Sequence, residues 1–325
     1  MHGVETTYNQ IITARYTEAT KKELGREDIL TIPSNIETHS KEWGYVFFPE
    51  SFTHIDTLII FVHGGIRVPT GFEHLISTNT LASAETLATT IQLNVDLGSA
   101  LLASTLLSQL NHQNSTAIAW YDYARVVGDA NRVRAIDQLP AKPYKGESPW
   151  SEAGQNISAR KAILKKTVLP FFSDMLLLVK KYKPALIVSP HTYDQTSGGT
   201  TTAGVSDLVA PGNERPAGMI FQKNTSRAPN ADFTLLPAAH IDQIQSYLSE
   251  ALKTLSTFKD KTVEVGIDYP YVIPLLFPLW LKMAEDAHHL MFEVRKDAFV
   301  AISDADLDQL VDFIYRSQKE LLPHF

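Results

Sequence analysis

The sequence predicts an α/β fold in which helical layers cover a mixed or parallel β-sheet. Residues 57–62 form a continuous apolar run that ends at His63-Gly64-Gly65, which is typical of a strand buried on both faces. A second apolar run, 185–189, also ends at polar residues, and segments with helical periodicity lie between the predicted strands. Since no internal repeat or linker is evident, we expect one domain spanning residues 1–325.

The first third of the chain contains one buried strand and one amphipathic helix. Residues 1–45 mix polar residues with short apolar groups and are expected to form surface structure leading into the domain. A strand is predicted at 58–63, followed by an irregular segment at 66–93 that is rich in Thr and Ser. Apolar residues recur at helical spacing over 96–110, and Asp96 is a suitable N-cap for that helix.

The middle of the chain alternates strands and helices. Residues 117–120 and 124–127 are strand-like, and 140–154 reads as a loop of Pro, Lys, Gly and Ser. A helix is predicted over 158–182, broken or kinked at Pro170.

The last part of the chain contains one long loop between regular elements. After the strand 185–189, residues 196–230 are rich in Gly, Thr, Ser, Pro and Asn, and segments of this length are often lids or binding loops. The remaining predicted elements are helices at 240–255 and 304–322 and strands at 262–267 and 290–294.

Composition excludes several classes of protein. The net charge is -7 and no basic block is present, so we expect neither nucleic-acid nor membrane partners. The chain has no cysteine, which rules out disulfides and thiolate metal sites. Residues 1–15 lack the pattern of a signal peptide, and the apolar stretch 269–281 is too short to span a bilayer and contains three prolines. We therefore expect a soluble, cytoplasmic protein.

Polar residues with catalytic potential lie at the ends of four predicted strands, the last of these stretches inside or ending its strand. They are His63, the stretch 129–132 (Asp-Ala-Asn-Arg), the stretch 189–194 (Ser-Pro-His-Thr-Tyr-Asp) and the stretch 292–295 (Phe-Glu-Val-Arg). Ligands in open α/β sheets bind at the carboxyl ends of strands. No glycine-rich phosphate loop, Gly-x-Ser-x-Gly elbow or His-Glu-x-x-His helix is present.

Two strand-end histidines and one carboxylate would make a three-ligand zinc site with an open position. Glu293 would then be a general base that does not bind the metal, and Arg132 beside Asn131 would suit a substrate carboxylate. Each residue also has a structural interpretation, for example His191 as a capped histidine or Glu293 as a solvated strand residue. Spacing alone leaves both interpretations open.

Several of these stretches resemble the N-formylglutamate amidohydrolases. Residues 123–132, Tyr-Ala-Arg-Val-Val-Gly-Asp-Ala-Asn-Arg, resemble the Ser-Arg-x-x-x-Asp-x-Asn-Arg stretch of that family. Residues 62–65, Val-His-Gly-Gly, followed by Pro69, resemble its Pro-His-Ser/Gly-Gly…Pro motif. Residues 96–99, Asp-Leu-Gly-Ser, and 269–271, Tyr-Pro-Tyr, are similar to two further motifs.

The wider clan includes the zinc carboxypeptidases, and some stretches resemble those more closely. Residues 129–132 match their Asp-Ala-Asn-Arg, residues 189–195 resemble Ser-x-His-Ser-Tyr-x-Gln, and 292–295 resemble Phe-Glu-Leu-Arg. The matches occur in the same order as in the family and extend over about residues 58–300.

The resemblance implies an α/β fold with a three-layer mixed sheet between helices, zinc phosphorylase/hydrolase-like and carboxypeptidase-like. It implies Zn²⁺ as cofactor, with His63 and His191 as ligands. Carboxypeptidases place a Glu three residues after the first His, where this chain has Ile66. If residues 66–93 are an insertion, Asp96 takes that place, with Glu73 as the alternative.

The resemblance also implies roles for other residues. Glu293 and Arg125 would be catalytic, and the substrate-binding residues would be Asn131, Arg132, Arg134 and Tyr193. The implied activity is a zinc-dependent amidohydrolase that cleaves an N-acyl amino acid such as N-formylglutamate. The alternatives are a metallocarboxypeptidase acting on peptides and a non-catalytic binding protein that retains the fold.

Two departures concern the substrate. The N-formylglutamate enzymes usually have Asp two residues before the second histidine, where this chain has Ser189. Their Pro-Tyr-His stretch would fall near residues 170–172, Pro-Phe-Phe, which contain no histidine.

Overall fold

A computed structural model describes most of the chain. The described residues are 2–72, 75, 81–113, 115–131, 150–151, 153–196, 209, 212–225, 232–269 and 287–322. Within them, no helix is both long enough and apolar enough to cross a membrane.

The described helices and strands alternate along the chain. The helices are α1 (His2–Leu24), α2 (Leu81–Asn94), α3 (Ser99–Gln109), α4 (Ile157–Lys166), α5 (Val168–Tyr182), α6 (Ala238–Thr254) and α7 (Asp304–Leu321). The strands are β1 (Glu37–Lys41), β2 (Gly44–Phe48), β3 (Thr57–Phe61), β4 (Thr116–Tyr121), β5 (Leu186–Tyr193), β6 (Gly218–Phe221), β7 (Lys223–Thr225), β8 (Asp232–Thr234), β9 (Val265–Ile267) and β10 (His288–Arg295).

Eight of these strands form one mixed sheet in the order β1-β2-β4-β3-β5-β10-β6-β9. The four central strands β4, β3, β5 and β10 are parallel to their neighbours within that group, whereas β2 and β6 join them antiparallel. Every residue of β3 and β4 is buried, as expected for strands covered on both faces. The carboxyl ends of β3, β5 and β10 therefore meet at one edge of the sheet.

Helices cover both faces of the sheet. On β3, Ile59 and Phe61 belong to a core cluster that also contains residues of α1, α2, α3, α6 and α7. Leu58 and Ile60 point to the opposite face, into a second cluster that contains residues of α4 and α5. Successive strand residues point to opposite faces, so the continuous apolar run supplies both cores. The predicted class, a three-layer mixed α/β fold, is confirmed.

The amino-terminal segment differs from the prediction of surface structure. Helix α1 packs on α2, and its residues Ile12 and Tyr16 are fully buried in the larger core cluster. These two residues and Leu24 form a narrow apolar stripe among polar residues. Such a stripe is too sparse to give a clear helical period, which is why the sequence analysis missed the helix.

The helix predicted over 96–110 is present but begins later. Its N-cap is Gly98, which has φ 92° and supplies no side-chain cap, so the prediction of Asp96 as the N-cap is wrong. A Cβ atom at Gly98 would lie 2.2 Å from the Phe299 ring, so both the backbone angle and the packing require glycine. The preceding segment 66–93, predicted as irregular, contains most of helix α2.

Three further boundaries differ from prediction. Residues 124–127 form a turn and not a strand. The helix over 158–182 is divided into α4 and α5 at Thr167, because Pro170 cannot donate to the carbonyl of Lys166 four residues earlier. The long loop at 196–230 contains strands β6 and β7, so its prediction as a loop throughout is wrong.

The burial of α1 leads to a prediction about stability. We expect Ile12→Ala to lower the free energy of unfolding by about 2–5 kcal/mol, because it leaves a cavity in the core. Thr13→Ala, on the exposed side of the same helix, is the control and should change it by less than about 0.5 kcal/mol. Urea denaturation measures both, and equal effects of the two substitutions would show that α1 does not belong to the core.

Candidate metal centre

The candidate site lies where the central parallel strands end. His63 follows β3 by two residues, His191 is the sixth residue of β5, and Glu293 is the sixth residue of β10. In the β5–β10 ladder Glu293 is the direct partner of His191, so the two side chains share one face of the sheet. Sheet topology thus brings together residues that are far apart in sequence.

Three side chains form a buried group that can hold a metal ion. Potential ligand atoms of His63, Asp96 and His191 all lie within 4.8 Å of one another. The three residues are 3%, 3% and 5% exposed, respectively. Asp96 Oδ2 lies 2.8 Å from Nδ1 of His191 and 3.4 Å from Nδ1 of His63. Among the residues that the structure describes, this is the one such group.

The loop before α3 places Asp96 at this position. The Asp96 amide donates to the carbonyl oxygen of His63 at 3.1 Å. Its carboxylate Oδ2 also accepts from the amide of Thr192 at 3.3 Å. Asp96 is therefore held by the ends of both histidine-bearing strands.

A second carboxylate orients His63. Asp129 Oδ1 lies 2.8 Å from Nε2 of His63, and Asp129 Oδ2 accepts from Nε of Arg125 at 3.2 Å. Because an ionised carboxylate only accepts, a neutral His63 carries its proton on Nε2 and its lone pair on Nδ1. This carboxylate–histidine arrangement commonly supports metal-binding histidines.

The donor set fits a zinc ion. Nδ1 of His63 is buried and has no hydrogen-bond partner, although it lies 3.4 Å from the Asp96 carboxylate, and such a nitrogen is costly unless another group satisfies it. Burial alone raises the pKa of Asp96, but the nearby His63 and His191 outweigh this effect and hold its pKa well below the usual range. A carboxylate and two imidazoles leave one position open in a tetrahedral site.

Two glycines let His63 approach its neighbours. A Cβ atom at Gly64 would lie 2.2 Å from the Trp120 ring, and one at Gly65 would lie 2.3 Å from backbone atoms of Asp122. Neither the ring nor the backbone can move without disturbing β4. The Gly-Gly pair is therefore required by the close packing of the turn after β3.

Glu293 lies on the strand next to His191 and is partly buried. Burial is the largest influence on its carboxyl group and raises its pKa to about 7, with Asp96 adding to the effect and His191, Arg125 and Arg215 opposing it. A carboxylate with this pKa can accept and release a proton near neutrality. Glu293 has the properties of an acid–base group.

The predicted substrate-binding residues are not part of the His63–Asp96–His191 group, and some lie outside the described residues. Asn131 follows Asp129 and donates its backbone amide to the Asp129 carboxylate at 2.9 Å. The Tyr193 hydroxyl donates to the carbonyl of Pro216, so it is tied to the backbone. Arg132, Arg134 and Glu73 lie outside the described residues.

The two departures from the resembled family lie in well-packed surroundings. Ser189 is buried in β5. Phe171, near the position where that family has a histidine, is fully buried, with its ring 4.9 Å from Trp43 and 5.1 Å from Tyr121. The Phe171 side chain packs in the core between the sheet and α5.

Sequence reasoning missed two contributors to the site. It identified Asp129 as a strand-end residue but gave it no role at His63. It also missed Arg215, a buried residue whose Nη1 donates to the carbonyl of Asp194 at 3.0 Å and whose charge acts on Glu293. Arg215 lies in the segment predicted as a loop, and no motif distinguishes it.

Comparison with solved structures finds similar chains, one of them with a TM-score above 0.5. The Agrobacterium tumefaciens gene product Atu2144 matches with a TM-score of 0.51 and 16% identity over 84% of this chain and 92% of that chain. A Pseudomonas aeruginosa metallo-carboxypeptidase matches with a TM-score of 0.34 and 12% identity over 95% of this chain and 67% of its own. Carboxypeptidase A from Helicoverpa armigera matches with a TM-score of 0.43 and 10% identity over 97% and 79%.

Sequence comparisons give no further relatives, since no family profile and no curated protein matches the chain. At 16% identity, the similarity to the Agrobacterium protein concerns the fold.

The buried His63–Asp96–His191 group predicts how much metal the protein binds. We expect about one zinc ion per chain in protein purified without chelator, and we expect His191→Ala to remove most of it, because three ligands leave little redundancy. His54→Ala, whose side chain is 63% exposed, is the control and should keep the metal. Elemental analysis measures both variants, and full occupancy in His191→Ala would contradict the site.

Proposed function

We propose that the protein is a zinc-dependent amidohydrolase that cleaves an N-acylated amino acid, such as N-formylglutamate, or a similar carboxylate-bearing amide. One observation carries the proposal. A buried His-Asp-His group lies beside a partly buried carboxylate, Glu293, at the carboxyl ends of the central parallel strands. Metal ligands and a base together are the requirement of metal-assisted hydrolysis.

The residues of this chain divide the chemistry between them. His63, Asp96 and His191 would hold the metal. A bound zinc ion would polarise the amide carbonyl and lower the pKa of a water molecule. Asp129 keeps His63 in the tautomer that leaves Nδ1 available.

Glu293 would act as the general base and then the general acid of the reaction. It would take a proton from the attacking water and deliver it to the leaving nitrogen as the C–N bond breaks and a C–O bond forms. The products are a carboxylate and an amine. Its pKa of about 7 suits both steps, since a base of this strength is regenerated readily at neutral pH.

Arg125 is placed to stabilise negative charge. Its Nη1 lies 3.6 Å from Asp96 Oδ1 and its Nε 3.2 Å from Asp129 Oδ2, with 15% of the side chain exposed. It therefore balances two buried carboxylates around the metal site. We further propose that its guanidinium stabilises the oxyanion that develops on the substrate carbonyl.

The substrate anchor is proposed from the sequence pattern. Asn131 lies beside Asp129 in the structure, and we propose that Asn131 and Arg132 hold the substrate carboxylate, with Arg125 or Arg134 assisting. A planar guanidinium binds a carboxylate through two parallel hydrogen bonds. The match of residues 129–132 to Asp-Ala-Asn-Arg favours a metallocarboxypeptidase as the second candidate, so peptides belong in the same assays.

The role of Glu293 is tested by Glu293→Gln. This change preserves shape and removes the base, so we expect zinc and substrate binding to persist and turnover to fall by a factor of about 10² to 10⁴. Loss of zinc in Glu293→Gln would show that Glu293 is a ligand. A wild-type enzyme with zinc bound that cleaves no formyl-, acyl- or peptidyl-amino acid would favour a binding protein.

The pH profile gives a second readout for Glu293. The base acts only when it is deprotonated, so activity should rise with pH through the pKa of Glu293. That pKa is about 7 without metal, and the charge of a bound metal lowers it. We therefore expect kcat/KM to rise with a midpoint at or below about pH 7, and we expect Glu293→Gln to lack this rise.

The carboxylate anchor is tested by Arg132→Lys. The change keeps the charge but loses the two-pronged contact, so hydrolysis of carboxylate-bearing amides should weaken by about 2–3 kcal/mol, as for the loss of a charged hydrogen bond. Neutral amides should be almost unaffected. Comparison of kcat/KM on a matched pair of charged and neutral substrates measures this, and equal losses would assign Arg132 a structural role.

A further inference from the structure

The amino terminus of helix α3 has amide donors that no side chain at the start of the helix accepts. The first backbone amides of any helix lack partners within the helix. Asp96 is the carboxylate that the sequence places there, two residues before Gly98. In the structure its carboxylate faces His191 and His63 instead, and Gly98 has no side chain to offer.

Asp28, from the segment after helix α1, accepts these donors. Its Oδ2 accepts from the amide of Gly98 at 2.8 Å, and its Oδ1 accepts from the amide of Leu101 at 3.1 Å. The Tyr16 hydroxyl donates to Oδ2 at 3.0 Å, and Asp28 is 2% exposed. Because Asp28 is buried, solvent water does not reach these amides to accept from them in its place.

We propose that Asp28 is a positioning residue for the metal centre. By capping α3 from a distant part of the chain, it leaves the Asp96 carboxylate free to face the two histidines. This inference rests on the proposed function in one respect, that Asp96 is a metal ligand.

Without Asp28, the start of helix α3 would compete with the histidines for the Asp96 carboxylate. The amides of Gly98 and Leu101 would then be buried without an acceptor, which is costly. Asp96 lies two residues before Gly98, and an Asp side chain readily accepts from the backbone amide two residues ahead. Its carboxylate would rotate toward the helix and leave His191.

The experiment compares zinc affinity in Asp28→Ala and Asp28→Leu with that in Ser303→Ala. Ser303 caps helix α7, where its side chain accepts from the amide of Asp306, so its loss removes a cap elsewhere in the fold. Dissociation constants come from competition with a chelator, on proteins whose circular dichroism shows them folded at the assay temperature. Asp28→Leu keeps about the same shape, removes both acceptor oxygens, and serves if Asp28→Ala does not fold.

The expected result is a zinc affinity about 10- to 100-fold weaker in the Asp28 variants and unchanged in Ser303→Ala. Wild-type affinity in a folded Asp28 variant, or an equal loss in Ser303→Ala, would overturn the inference.

Crystal structures of metal-free wild type and Asp28→Leu separate this inference from the proposed function. We expect the 2.8 Å contact between Asp96 Oδ2 and His191 Nδ1 to be kept in the wild type and lost in the variant. If the wild type binds no zinc, the proposed function fails, while rotation of Asp96 in the variant still supports the role of Asp28. An unmoved Asp96 overturns that role whether or not zinc binds.

Discussion

The carboxylate of Asp96 is the point on which the site depends. It is buried, and a buried charge is costly unless it is paired. Its partners come from three separate parts of the chain: His63 after β3, the His191 side chain and Thr192 amide in β5, and Arg125 in the turn after β4. Each partner must be in place for the charge to be tolerated. The low pKa of Asp96 therefore reflects the whole arrangement and not one neighbour.

The sheet provides the rigid frame for this arrangement. Parallel strands β3, β5 and β10 lie side by side, so their carboxyl ends bring together a histidine, a second histidine and a glutamate. The fold places chemistry at strand ends, where side chains need not belong to either core. Glu293 illustrates this point, since its neighbours Phe292 and Val294 are both buried in the larger core cluster while it faces the opposite side.

Site residues could be predicted from the sequence where a short segment determines its own local structure. Strand-end residues such as His63, His191 and Glu293 could be identified because apolar runs end beside them. Contacts between distant segments left no such signal. The Asp129–His63 and Asp28–Gly98 contacts depend on how elements pack, and helix α1 shows only a sparse apolar stripe. For the same reason, local spacing predicts Asp96 as the cap of helix α3, whereas in the structure the Asp28 carboxylate accepts from the Gly98 amide.

The packing of Trp120 on Gly64 has a practical consequence. The indole ring lies so close to the turn after β3 that a methyl group would not fit between them, and its Nε1 donates to Asp122 at 3.3 Å. An intrinsic fluorophore, one of four tryptophans in the chain, therefore stands one residue from the His63 ring. We therefore expect the emission of Trp120 to respond when the surroundings of His63 change, and replacement of Trp120 by Phe would separate its signal from that of the other tryptophans.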